Sequence, residues 1–424
     1  MTNNIIKDKY TFFNINDLYE NINERLLLPK INDKLIINDS RTIKDFKFQT
    51  FGGYSKKQVL KELDKSIQDS NVEKSIHWMM QLYFSGFIDS LWDKFMIISC
   101  KNININNPNL PIMMYNRHIK IKKILEDKKF SKDNILHLRN HEEIRNLLIE
   151  MLLYITLSKK KKLSTLPKID KKDYILDNFK KKLQANSVEI ITNIFVTEDP
   201  SEIRIAGNEM TNSLLKDDSH KALYWLNWIL EWEKINTKKY GKYECGYRNV
   251  IGIESKLNRD VIWLIWNIIK KVKERKFGNG NTLINSNIDA LWNLYIYKFS
   301  LGQKTKKINY ILWSIEYLTN KIDWKIPIID RPYILYQTML NITSFIVNMK
   351  SQQINNKSHN YLLNNLVIQN NYLAPQNIDK MKKEKEREMK MKERKNIEAK
   401  AKKKKIDVDT FNKLEAFNKL ASIS

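Results

Sequence analysis

KSIQDSNVEKSIHWMMQLYFSGFIDSLWDKFMIISCKNININNPNLP, residues 65–111, reads as two amphipathic helices around a glycine turn. Ser70 and Glu73 have the S-x-x-E form of a capping box, with the hydroxyl accepting from the Glu73 amide and the carboxylate reaching back to the Ser70 amide. Ile76, Met79, Met80, Tyr83 and Phe84 recur at helical spacing and form one apolar face. Gly86 falls where the chain must turn left-handed, which glycine does without a Cβ clash. A second helix is expected over about 89–100, with Leu91, Trp92, Phe95, Met96 and Ile98 apolar. Asn107-Pro108 and Leu110-Pro111 are expected to end it, because proline cannot continue the ladder. Upstream, Ser55 is placed to cap another helix over 56–67.

This stretch resembles the helical C-terminal region of the MgsA and Werner-helicase-interacting group of AAA+ ATPases, relatives of clamp loaders. Lys65-Ser66-Ile67, Asp69-Ser70, Ser75-Ile76-His77-Trp78-Met79, Gly86 and Asn107-Pro108 follow one another in that family's order. The resemblance covers about 60 of the 424 residues. It implies a region that serves assembly and interaction rather than ATP hydrolysis. Where the family's second helix carries an Arg pair and an Ala-Ser-Glu-Asp stretch, this chain has Asp93-Lys94 and Ile98-Ser99-Cys100-Lys101. No G-x-x-x-x-G-K-[ST] loop occurs in the sequence, so the ATPase half of the family is missing.

Composition agrees with a helical protein. Ten Gly and eight Pro leave few breaks, strand-like alternation is rare, and 42% hydrophobic residues supply a core. The amino terminus opens polar, without the apolar core of a signal peptide. No apolar run approaches the ~18 residues of a membrane span. Two cysteines, Cys100 and Cys245, make no disulfide framework and point to a reducing, intracellular compartment. The formal charge of +26 suggests a polyanionic partner. The abundance of Lys, Asn and Ile is also what an AT-rich genome supplies by codon usage. In this the chain resembles proteins of the large nucleocytoplasmic DNA viruses, with an AT-rich protist as the competing source.

Five segments are expected. Residues 1–54 form an N-terminal arm, irregular or with short strands at 34–37 and 46–51. Residues 55–158 form a first helical domain and 187–349 a second. Between them, residues 159–186 are a basic linker: positions 159–182 hold ten Lys against three Asp, net +7. Residues 350–424 are a tail, whose positions 380–405 carry fourteen Lys or Arg and five Glu, net +9. Glu–Lys neighbours favour a single exposed helix there, which could lie on nucleic acid, act as a targeting signal or stay solvated. The second domain echoes the first. Asp217-Asp218-Ser219 offers a cap before Ala222-Leu223-Tyr224-Trp225-Leu226, residues 260–266 correspond to 89–95, and 310–315 are a weaker third echo. The fold class is therefore all-α, with irregular helical repeats.

Candidate phosphate contacts are Lys159, Lys160, Lys161, Lys162, Lys171, Lys172, Lys180, Lys181 and Lys182, together with Lys402, Lys403, Lys404 and Lys405 in the tail. Lys242 and Arg248 join them from a Gly- and Tyr-rich loop over 240–248. Trp225, Trp228 and Trp232, and Trp263 and Trp266, lie on single helix faces and are assigned to the core rather than to base stacking. Phe411, Leu414, Phe417 and Leu420, in a doubled F-N-K-L, form an apolar face for a viral or host protein partner, with a fold-back as the alternative. Homo-oligomerisation stays open.

The chemistry of catalysis is thin. His137 and His141, at i and i+4, share a helical face but lack a third metal ligand. Gly278-Asn279-Gly280 is a turn, not a phosphate loop. Cys100 lies on an apolar face, and the acidic pairs Glu198-Asp199 and Asp217-Asp218 sit at helix starts, where carboxylates cap. The sequence therefore points to a non-enzymatic scaffold that associates with nucleic acid or replication, without cofactor or metal. A structural virion component is the alternative.

Overall fold

The computed structural model describes residues 36–126, 135–241, 244–280 and 282–351, which fall within one compact unit, Met1–Gln353. Among them are fourteen helices and no strand. In chain order they are α1 (Lys56–Gln68), α2 (Val72–Phe84), α3 (Ile88–Asn102), α4 (Leu110–Leu125), α5 (Leu136–Arg139), α6 (Glu142–Leu157) and α7 (Leu176–Lys180). After a long connection follow α8 (Ser201–Leu215), α9 (Ser219–Tyr240), α10 (Val261–Phe277), α11 (Leu283–Ile296), α12 (Leu301–Thr319), α13 (Pro332–Leu340) and α14 (Ile342–Ser351). The all-α expectation holds.

The opening stretch forms as read, with two shifts. Ser55 caps α1, its hydroxyl accepting from the Gln58 amide. Gly86 takes φ +78°; its amide donates to the Tyr83 carbonyl and that of Phe87 to the Leu82 carbonyl, which closes the end of α2. A Cβ on Gly86 would lie 2.9 Å from Cγ1 of Ile43. The cap of α2 is Asn71, whose side chain accepts from the Lys74 amide, and not Ser70. Ser70 instead closes α1 in the left-handed region, φ +54°, with its amide on the Ile67 carbonyl and the Asn71 amide on the Ser66 carbonyl. One residue cannot be extended for an N-cap and left-handed for a C-terminal turn, and the tighter connection wins. Ser70→Gly removes the strain of a left-handed non-glycine and should raise stability by about 0.5 kcal/mol in a denaturant titration, less than the bare αL cost because glycine also loosens the unfolded chain. The prolines differ too: α3 ends at Asn102, and Leu110-Pro111 begins α4, where proline is tolerated in the first turn.

The α1–α2 hairpin is built again as α8–α9. Asp217 (φ +58°) closes α8, with its amide on the Leu214 carbonyl and the Asp218 amide on that of Ser213, and Asp218 caps α9 by accepting from the Lys221 amide. The likeness extends outward. α1 packs on α2, α3 and α6; α2 and α3 pack on each other and on α6; and α4 packs on α6. The same scheme joins α8, α9, α10 and α12, with α11 in the place of α4. The two sets meet where α4 lies against α11 and α12 against α3, and their buried side chains form one hydrophobic core. The two helical blocks read from sequence as separate domains thus share a core, and residues 159–186 do not part it.

The expected strand over 46–51 is absent: Ile43–Phe46 is a 3-10 turn, and Phe46 and Phe51 are buried against the helices. Position 36–37 is also without strand, and 34–35 lie outside the described residues. An ion pair closes the core of the first set. Glu150 on α6, with no exposed surface, receives two bonds from Arg117 on α4, at 2.6 and 2.7 Å, and one from the Tyr154 hydroxyl.

Candidate nucleic-acid interface

The site is built on α9. Trp225, Trp228 and Trp232 share one face, and the structure puts Trp225 and Trp228 in the core and leaves Trp232 half-buried. What covers them is the lysine-rich segment itself. Tyr174 lies 5.5 Å from Trp228 and stacks on Trp232 at 5.8 Å, while Phe179 sits 4.9 Å from Trp228 and edge-on to Trp225 at 5.8 Å, measured between ring centroids. Polar contacts fix the same strap. The Tyr224 hydroxyl donates to Asp173 at 2.9 Å, the Asn227 amide to the Pro167 carbonyl at 2.8 Å, and the Trp228 indole to the Asp173 carbonyl at 3.4 Å. Within the strap, a 3-10 turn at Lys171–Tyr174 is capped by Asp170 and tied to α7 by Asn178, whose amide donates to the Lys172 carbonyl. The residues expected to be a linker are thus held on α9 by the buried Phe179 and the half-buried Tyr174.

Tyr174 and Phe179 face inward, and the lysines before and after them face out. Lys168, Lys171, Lys172, Lys180 and Lys181 are exposed, and none has an ion-pair partner among the described residues. Lys159 and Lys162 are likewise exposed and unpaired among the described residues. Exposed ammonium groups outside ion pairs, in excess over the strap's two exposed carboxylates at Asp170 and Asp177, are what phosphate backbones bind, and holding them in place lowers the entropy lost on binding.

The other sequence candidates have different roles. Lys182 turns inward, 3.2 Å from Asp173 and 4.6 Å over the Tyr224 ring. Lys160 caps the end of α6, donating to the carbonyls of Ile155, Thr156 and Ser158 at 2.8, 2.8 and 3.0 Å, and burial pulls its ammonium down to about 8. Lys161 lies 3.7 Å from Glu316, and its amide donates to the Asn102 carbonyl. Arg248 is drawn into a mostly buried ion pair with Asp199, at 2.5 and 2.9 Å, so it offers no free charge. Asp199 also accepts from the amides of Val196 and Gly246; against burial, which raises its carboxyl, the Arg248 hydrogen bond, these amides and the Arg248 charge hold it below the ordinary range. It therefore pins two loops instead of capping α8, whose N-cap is Pro200. Lys242, Lys402, Lys403, Lys404, Lys405, Phe411, Leu414, Phe417 and Leu420 lie outside the described residues.

A cluster that the sequence reading missed joins α9, α10 and α12. Lys304 Nζ sits 2.6 Å from Glu233 and 2.7 Å from Asp260, on the wall of a groove of about 500 Å³ also lined by Lys256 and Arg259. Burial and the neighbouring Asp260 carboxylate raise the Glu233 carboxyl despite Lys304. Asp260 caps α10, and the ammonium occupies the space between the two carboxylates, so the trio fastens three helices rather than leaving a base free. His137 and His141 do not share a helix: His137 is on α5, and His141 caps α6 through Nδ1, which accepts from the Ile144 amide at 3.3 Å. Among the described residues no group of three or more His, Cys, Asp or Glu is placed to hold a metal. Cys100 and Cys245 are buried free thiols; burial raises both, Cys245 to about 12. No helix of the described residues is long and apolar enough to cross a membrane. Comparison with protein-family models, curated proteins and solved structures found no match.

Proposed function

We propose that this protein is a non-enzymatic, nucleic-acid-associated helical scaffold, working in replication or genome handling in a large DNA virus. The observation that carries the reading is the strap: five exposed lysines, unpaired among the described residues, held on α9 by Tyr174 and Phe179. Codon supply explains an excess of lysine, but not why these five are displayed together outside ion pairs, outnumbering the exposed Asp170 and Asp177, while others are absorbed as helix caps. The test is binding of the full chain to DNA across a salt series, beside the variant Lys171→Ala/Lys172→Ala/Lys180→Ala/Lys181→Ala. Each phosphate contact contributes a slope of about −0.7 to −0.9 in log affinity against log salt. The variant should flatten the slope by about 3 and keep its thermal midpoint, since the replaced side chains are exposed. Equal slopes would remove the strap from the interface, and no binding near physiological salt would remove the nucleic-acid reading.

A structural virion role is the second reading. It is favoured by the exposed apolar side chains of Tyr333, Tyr336, Leu340 and Val347 on α13 and α14, which suit a protein contact. Stoichiometric copy number in purified particles would support it.

A further inference from the structure

We propose that the strap binds single-stranded rather than duplex nucleic acid, through an apolar tip set among its lysines. This rests on the nucleic-acid reading above and names the form of its ligand. The tip is Ile175 and Leu176, 50% and 62% exposed, at the joint between the 3-10 turn and α7. Their neighbours Tyr174 and Phe179 supply the strap's inward packing, so the outward pair is not what attaches the strap to α9. The Ile175 amide donates to the Lys172 carbonyl at 3.1 Å, which places the tip directly on the turn carrying Lys171 and Lys172. On the other side, Lys180 follows Leu176 by one helical turn and shares its face. Lys171 and Lys172 on one side and Lys180 and Lys181 on the other thus flank two exposed aliphatic side chains, with Asp177 the one exposed carboxylate between them.

The chemistry of a partner follows from that alternation. The lysines fix a phosphate backbone against the strap, and the side chains between them then meet whatever lies beside the backbone. In a single strand that is the face of an unstacked base, whose apolar surface leaves water when an aliphatic side chain covers it. In B-form duplex the faces are stacked on one another and the grooves offer polar edges, so the same side chains would be set against water or phosphate. An anionic membrane is the other surface that takes lysine with apolar residues. It is disfavoured here because the strap's aromatics, which anchor interfacial segments, are turned into the protein.

The test uses the full chain, a labelled 20-nucleotide single strand, its duplex, and phosphatidylserine vesicles, with Ile175→Ser/Leu176→Ser beside the wild type. The wild type should prefer the single strand to the duplex by about tenfold, the effect of covering roughly 55 Å² of apolar surface at about 25 cal/mol per Å². The double variant should lose most of that preference, keep its duplex affinity and keep the salt slope, because the lysines remain. Equal affinity for both strands with a steep salt slope overturns the inference and leaves the nucleic-acid reading intact. Failure to bind either oligonucleotide overturns both. Binding to the vesicles alone, lost in the double variant, overturns both in favour of a lipid surface.

Discussion

Arg139→Met should lower stability by about 3–5 kcal/mol, which for a unit of this size lowers the thermal midpoint by roughly 5–8 °C. Arg139 is only 1% exposed, yet it makes no close carboxylate pair: Asp39 Oδ1 is 4.0 Å from its guanidinium. Its donors go to backbone carbonyls, from Nε to Phe84 at 2.6 Å, from one terminal nitrogen to Arg41 at 2.5 Å and from the other to Asp39. The Phe84 carbonyl belongs to the last turn of α2, and those of Asp39 and Arg41 belong to the arm that enters the core ahead of α1. One fork of donors, on an almost wholly buried guanidinium, thus joins the arm to the end of the hairpin. Methionine keeps the stem and strands three acceptors, each costing about 1–3 kcal/mol when buried and unmet. Burial pulls the guanidinium down to about 10, still charged at neutral pH. The arm has a second hold, the Ile37 amide on Asn140 at 2.8 Å. Limited trypsinolysis should therefore cut the variant at Arg41, Lys44 or Lys47 well before the wild type. A loss under 1 kcal/mol with unchanged proteolysis would refute the assignment.

The helices were legible because their signals are local. Apolar spacing over 76–84 and 91–98, Ser55 and Gly86 each decide a conformation within a few residues, and the second hairpin could be recognised by the same grammar. Where two local rules compete for one residue, as at Ser70, the order is set by how tightly α1 must turn into α2, which a motif does not encode. The strap was half legible. A lysine run announces charge, but Tyr174 and Phe179 find Trp228 some 50 residues away, and only that contact turns a linker into a surface. The lysines themselves are indistinguishable in sequence. Lys160, Lys276 and Lys307 each end a helix by donating to its last carbonyls, Lys276 to Leu214 at 3.1 Å and Leu318 at 2.6 Å, Lys307 to Tyr295 at 2.6 Å. These contacts close helix ends that abut other elements, and such meetings are set by the tertiary packing. The formal charge therefore overstates what is free to meet a polyanion.

The second large effect concerns acid. His118 on α4 is wedged between Trp92 of α3, stacked at 4.4 Å, and Tyr297 after α11, edge-on at 4.2 Å, where the two helical sets meet. It is 7% exposed, and its Nε2 has no hydrogen-bond partner among the described residues. Burial is the main cause that lowers its pKa, to about 4; Lys122, Lys298 and Lys307 add to this, and Asp89 alone opposes it. In the unfolded chain the imidazole titrates near its ordinary 6.5. Between those values the unfolded state binds the proton that the folded state refuses, so stability falls as pH drops from about 6.5 towards 4. The full loss is about 3.4 kcal/mol, and about 2 kcal/mol of it is reached by pH 5. His118→Phe keeps an aromatic ring in the wedge and removes the titration. Denaturant titrations at pH 7 and pH 5 should show the wild type losing about 2 kcal/mol more than this variant, with the two similar at pH 7. Parallel losses in both proteins would mean that the acid sensitivity lies in the carboxylates, with Asp39 and Asp199, both held below their ordinary range, as the groups to test next.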